Sequence, residues 1–207
     1  MSVPQRPHAR RHPRVPVPAR LQFGSRAPLT DRLFLRFCRA NPDLRLERTA
    51  TGELIIMPPA GSETGGRNLE LAGQLYNWVK ASGLGVAFDS SSGFTLPNGA
   101  IRSPDTSWVA RDRWDALTPD ERKGFAPLCP DFVVELRSPT DRLRDLREKM
   151  REYRAQGARL GWLIDPKRKV VEVYRPRCRV EVLTAPVTLS GEDVLPGFVL
   201  DLKDILI

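Results

Sequence analysis

Histidine is nearly missing from this sequence: of 207 residues two are His, and both, His8 and His12, fall among the first twenty. Triads and metal centres built on imidazole are thereby excluded from the rest of the chain, where any chemistry must use carboxylates, Lys, Ser or Tyr. Cysteine is scarce as well. Cys38, Cys129 and Cys178 are odd in number, lie far apart and lack the short paired spacing of a zinc site, which predicts free thiols in a reducing compartment. No run approaches the ~18 consecutive apolar residues of a membrane span, and the first residues lack the apolar core of a secretory signal. A cytoplasmic protein without a membrane partner is expected. Acids are absent from residues 1–20, which carry Arg6, Arg10, Arg11, Arg14 and Arg20 among five prolines. Such a segment cannot bury enough apolar surface to offset its ordering entropy. Residues 1–24 are therefore read as a disordered arm, either phosphate-binding or merely solubilising, ahead of one domain over 25–207.

What the sequence does have is positive charge. Lys and Arg number 33 against 25 Asp and Glu, a formal +8 of which the arm carries five units, so the body is only mildly basic. A polyanion, nucleic acid first, is the partner such a balance suggests.

Periodicity predicts a helix over 30–40 behind Thr30, a hairpin of strands 44–49 and 53–57 around Thr51-Gly52, and a long helix over 67–82. The apolar face of that helix is read as Leu69, Ala72, Leu75, Tyr76 and Val79. A meander of strands 86–89, 93–96 and 103–110 is expected next, then a charged, partly helical connection. A strand over 130–137, a helix over 141–156 and a strand pair 160–164 and 169–174 follow. Helices alternating with strands give an α/β or α+β class with a mixed sheet.

Two acids stand out because they sit in strand-like segments, Asp105 after Arg102-Ser-Pro and Glu135 within Asp131-Phe-Val-Val-Glu135-Leu. Buried acids cost several kcal/mol unless paired; spacing alone leaves open whether Glu135 faces core or solvent. Asp131 is a poor partner for it, since four residues of strand separate their attachment points by about 13 Å. Asp105, 30 residues upstream, has chain enough to lie beside Glu135 on a neighbouring strand. Lys149 borders the apolar face Leu143, Leu146, Met150 and Tyr153 of its helix, about 60° from Leu146 and 40° from Tyr153. From there it either leans toward Glu135 or snorkels to solvent.

The run from Phe88 to Trp108 containing Arg102-Ser-Pro-Asp105, together with Pro130-Asp-Phe-Val-Val-Glu135-Leu-Arg-Ser-Pro139, Lys149-Met-Arg-Glu-Tyr153 and Gly161-Trp-Leu-Ile-Asp-Pro166, resembles the Uma-two family of restriction-endonuclease-like proteins. The resemblance implies the PD-(D/E)xK nuclease superfamily and its fold, a restriction-endonuclease-like mixed β-sheet flanked by helices. It also implies a Mg²⁺- or Mn²⁺-dependent endonuclease acting on nucleic acid, with DNA the expected substrate. Asp105 and Glu135 are then the metal-binding acids, and Lys149 the catalytic cation from a migrated position, because the superfamily's usual lysine position holds Arg137. Where many relatives have a His near the start of the long helix, this chain reads Gly61-Ser-Glu-Thr-Gly-Gly-Arg67. Glu47 and Glu70 are candidates for a further acid, Arg102 and Arg137 for substrate contact, and a homodimer is compatible with the family. The rival reading is a catalytically inactive nucleic-acid-binding or protein-interaction module on the same fold.

Overall fold

The computed structural model describes residues 18–23 and 29–206. Strand β1 (Ala19–Leu21) precedes helix α1 (Asp31–Ala40), which Thr30 caps by accepting the Leu33 amide at 3.3 Å. Strands β2 (Arg45–Arg48) and β3 (Leu54–Met57) form the expected hairpin, and helix α2 (Ser62–Ser82) ends at Gly83 in the left-handed conformation, φ 68°. Strands β4 (Gly85–Asp89), β5 (Phe94–Thr95), β6 (Ile101–Arg102) and β7 (Thr106–Ala110) come next. Short helices α3 (Arg111–Asp115) and α4 (Pro119–Lys123) then lead to β8 (Phe132–Leu136), helix α5 (Leu143–Ala155), β9 (Leu160–Asp165) and β10 (Val170–Tyr174). Strands β11 (Glu181–Thr184), β12 (Thr188–Ser190) and β13 (Val199–Asp201) complete the order.

The main sheet has six strands in the order β11-β10-β9-β8-β7-β4, and its one parallel pair is β8 with β9. That pair is joined through α5, the crossover helix that parallel neighbours require. All five residues of β8 are buried, as befits a strand covered on both faces. Phe132, Val134 and Leu136 pack with Leu71, Leu75 and Val79 of α2 and with Trp162 and Phe198. Val133 instead packs with Met150 and Tyr153 of α5. Alternation then puts Glu135 on the α5 face.

A second sheet, β1-β3-β2-β6-β5, explains why the expected meander does not form. The Pro97-Asn98-Gly99 turn folds β5 against β6, with the Leu96 amide donating to the Ala100 carbonyl at 2.8 Å. Pro104 has no N–H for a ladder, and around it the chain leaves this sheet and enters β7 of the main one. Only β4 and β7 of the expected meander share a sheet. Two more expectations shift. Helix α2 starts five residues early, at Ser62, and its buried stripe is Thr64, Leu71, Leu75 and Val79, while Leu69 and Tyr76 are 75% and 55% exposed. Leu69 and Leu71 are about 200° apart on a helix, so only one can face the sheet. Of the stretch read as a disordered arm, residues 1–17, with His8 and His12, lie outside the described residues. Its last part is strand β1, antiparallel to β3, and Arg20 there pairs with Glu53 at 3.0 Å and Asp145 at 3.1 Å.

Candidate active site

Antiparallel pairing of β7 with β8 sets Thr106 opposite Val134, and continuing that register by one residue sets Asp105 opposite Glu135. The Leu136 amide donates to Oδ2 of Asp105 at 2.8 Å, tying the first acid to the strand that bears the second. Glu135 is 3% exposed, and Lys149 reaches it from α5, its Nζ 2.8 Å from Oε1. The same ammonium donates to Oε1 of Glu47 at 2.7 Å and to the Ser103 carbonyl at 3.2 Å. Tyr153, four residues on and hence on the same helix face, donates its hydroxyl to Oε1 of Glu135 at 3.1 Å. Glu47 comes from β2 of the second sheet, held by the Ser103 amide at 3.1 Å and by Arg102 at 3.2 Å. Arg102 in turn meets Glu152 at 2.6 Å, and Asn98 supports Glu152 at 3.0 Å.

Two sheets and one helix thus converge on four acids, Glu47, Asp105, Glu135 and Glu152, with two cations, Lys149 and Arg102. The negative excess shows in the titration of the group at its centre. Burial pushes the Glu135 carboxyl up to about 8, the charges of Asp105 and Glu47 add to that push, and Lys149 opposes it. Asp105 is also raised, by burial, against the pull of Lys149 and the Leu136 amide. Glu47 goes the other way: burial works to raise it, but Lys149 and Arg102 together hold it below the usual carboxylate range. Burial works to lower Lys149, but Glu135 and Glu47 overcome it, so the ammonium is held protonated well above its ordinary range. Burial and the same carboxylates raise the Tyr153 phenol, which stays a neutral donor.

Of the residues singled out in the sequence, the structure gathers Glu47, Arg102, Asp105, Glu135 and Lys149. It does not bring in Glu70, which lies exposed on α2 and accepts from Gln74 at 2.9 Å. Arg137, just beyond β8, pairs with Asp165 at 2.7 Å rather than with the acid cluster. Asp131, at the other end of β8, accepts from the Ala110 amide and from Arg113, both at 2.9 Å. Sequence reading missed Tyr153 and Glu152 as members of the site. Their spacing of three and four residues from Lys149 was the available signal.

Among the described residues no three His, Cys, Asp or Glu side chains are gathered in an arrangement ready for a metal ion. What the cluster offers a cation is the pair Asp105 and Glu135. Their chemistry fits a hard divalent ion, being carboxyl oxygens in a buried site with more acids than cations, where a bound cation would displace the proton that burial favours on Glu135. Neither Oδ1 of Asp105 nor Oε2 of Glu135 is taken by a hydrogen bond or ion pair among the described residues.

The chain matches over residues 31–203 the family model described as "Uma2: Putative restriction endonuclease". It belongs to that family. The resemblance read from the Asp105, Glu135 and Lys149 motifs is therefore borne out. Among solved structures the fold is similar to a crystal structure described as "a putative nuclease belonging to DUF820" from Anabaena variabilis ATCC 29413. The TM-score is 0.66 at 24% sequence identity, covering 78% of this chain and 89% of that one. The likeness establishes the fold, a mixed sheet flanked by helices of the kind expected for the Uma2 family. No curated protein matches the chain. Among the described residues no helix is long and apolar enough to cross a membrane.

Proposed function

We propose that this Uma2 member is a metal-dependent endonuclease that hydrolyses phosphodiester bonds of nucleic acid, DNA foremost. The observation that carries the reading is the cross-strand pair Asp105 and Glu135, buried in net negative charge with Lys149 on Glu135. Asp105 and Glu135 are the residues to hold Mg²⁺ or Mn²⁺, which when bound polarises a phosphoryl oxygen and lowers the pKa of water. Lys149, kept protonated by Glu135 and Glu47, acts as a donor: it orients a water or a phosphate oxygen and offsets charge developing there. The structure thus favours the orienting role over the proton-abstracting one. Tyr153 holds Glu135 in place, and Glu47, fixed by Arg102 and the Ser103 amide, keeps Lys149 from turning to solvent.

Of the two arginines proposed for substrate contact, Arg137 is the better placed. Its side chain is 20% exposed and carries one ion pair, whereas Arg102 is 10% exposed and bonded to two acids. The test is cleavage of plasmid and single-stranded DNA with Mg²⁺, Mn²⁺ or EDTA. Strand breakage with either metal, absent in EDTA and in Glu135→Gln, is the expected result. DNA binding without breakage under any of these conditions favours the inactive module.

A further inference from the structure

A cleft of about 480 Å³ lies where the chain leaves β4, walled by the aromatic rings of Phe88, Trp114 and Phe125 and rimmed by Arg39, Arg122 and Lys123. Its position relative to the acids follows from register. Strand β4 pairs with β7 so that its last residue, Asp89, lies opposite Thr106, the residue that follows Asp105. The segment that leaves β4 at Ser90 and runs through Ser91, Ser92 and Gly93 is one wall of the cleft. Its carbonyl at Ser90 is held by Arg45 at 2.8 Å. Neighbouring strands lie about 4.8 Å apart, so the chain turns off toward the cleft one strand away from Thr106, next in sequence to Asp105.

Its lining is unlike ordinary core. Phe88 meets Trp114 at a centroid distance of 5.0 Å and the Arg122 guanidinium lies 5.6 Å from the centre of the Trp114 ring, yet both rings keep partial access to solvent. Gly93 has no side chain because the Phe125 ring occupies that space, 2.5 Å from where a Cβ would stand. The rim cations are available for a new anion. Arg39 makes no ion pair among the described residues, while Arg122 and Lys123 pair with surface acids, Asp115 at 3.8 Å and Asp120 at 3.2 Å, Arg122 also donating to the Asp115 carbonyl at 2.8 Å. Exposed pairs of that kind are worth roughly 0–1 kcal/mol. Asp89, at the end of β4 just before that wall, already accepts from the Ser91 amide at 3.1 Å and the Ser91 hydroxyl at 2.7 Å.

We infer that this cleft takes an unpaired nucleobase of the substrate strand, stacked against Trp114 and Phe125, while Arg39, Arg122 and Lys123 hold the flanking phosphates. Aromatic faces flanked by cations are the combination by which single strands are bound, because every base has a π-face and every link a charge. A paired base has both faces covered by its stack and does not enter. The inference rests on the nuclease reading for its meaning and makes the substrate single-stranded or locally unpaired nucleic acid.

The test separates the two. In EDTA, where no metal-dependent cleavage runs, the full chain is titrated with a single-stranded oligonucleotide of about 12 nucleotides, within the usual footprint of such sites, and with the matching duplex. The single strand is expected to quench tryptophan emission, the quench to disappear in Trp114→Phe, and the Kd to weaken tenfold or more in the Arg39→Ala, Arg122→Ala double variant. Both of those residues lie on the surface, so the double variant reads the cleft even if changes at Trp114 harm folding. Duplex bound as tightly as single strand, or a double variant that binds as tightly as the parent, overturns the inference. Single-strand binding of the expected pattern in a protein that never cleaves upholds the cleft and overturns the nuclease reading. Cleavage indifferent to the double variant and to strandedness does the reverse.

Discussion

Helix α5 carries two basic side chains into the acids of the same sheet, and they meet opposite situations. Arg147 forms a bidentate pair with Glu172 of β10, at 2.9 Å and 3.1 Å from Nε and 2.5 Å from its terminal nitrogen, and Tyr174 adds a hydroxyl at 2.8 Å. One cation meets one acid there. Burial works to raise Glu172, but the hydrogen bonds from Arg147 and Tyr174 overcome it and the carboxyl is held below its usual range. Two residues along, Lys149 faces Glu135 and Glu47 together, with Asp105 beside them, and Glu135 is driven up instead, to about 8. Burial weighs most at Glu135 and the charges of Asp105 and Glu47 add to it, whereas at Glu172 the hydrogen bonds from Arg147 and Tyr174 outweigh burial. A balanced pair is complete and serves the fold; an unbalanced one is set up for a further cation.

The largest effect is expected where the balance is broken. Lys149→Met should lower the single-turnover cleavage rate by about 10²-fold or more, the scale of a positioned donor. The fold should survive it, because Glu135, raised to about 8 even beside Lys149, is stable as a neutral carboxyl at neutral pH without the ammonium. Arg147→Met should leave the rate unchanged and lower Tm. Arg137→Met should mainly raise the DNA concentration needed for half-maximal rate. A ranking in which Arg147 or Arg137 governs the chemical step and Lys149 does not would abolish the distinction between the two clusters.

Much of that contrast was legible in the residues. Strand β8 announces itself by a short apolar run and helix α5 by a 3.6-residue stripe, and the separation of Asp105 from Glu135 allowed the neighbouring-strand arrangement that the β7 and β8 register supports. Other parts could not be read. Whether Glu135 faced core or solvent depended on α5 covering that side of the sheet, a tertiary fact. The phase of α2 was misjudged because Leu69 and Leu71 are equally apolar and only the sheet chooses between them. Residues 94–102 look like meander strands locally, and their transfer to the second sheet depends on pairing with Arg48, more than 45 residues earlier. Glu70 drew notice as an acid on a long helix, but it lies on that helix's outer side.

A smaller effect sharpens the comparison from the balanced side. Glu172→Gln should cost about 1–2 kcal/mol, discounted because Arg147 is 38% exposed, and so lower Tm by about 5 °C. A carboxyl held below its unfolded value stabilises the fold above that value and loses the contribution as pH falls through the folded one. The Tm gap between parent and variant should therefore be full at neutral pH and close as the buffer is taken below the ordinary carboxylate range. A gap that widens on acidification would show that Glu172 is not held as an anion.

The central claim is that the negative excess at Asp105 and Glu135 is a site for a divalent cation, and calorimetric titration of the full chain with Mn²⁺ tests it most directly. The account predicts one equivalent bound by the parent and by Glu172→Gln, and none by Glu135→Gln or Asp105→Asn, with all four proteins folded by circular dichroism. Mn²⁺ binding that is absent from the parent, or that persists unchanged in Glu135→Gln, would contradict it.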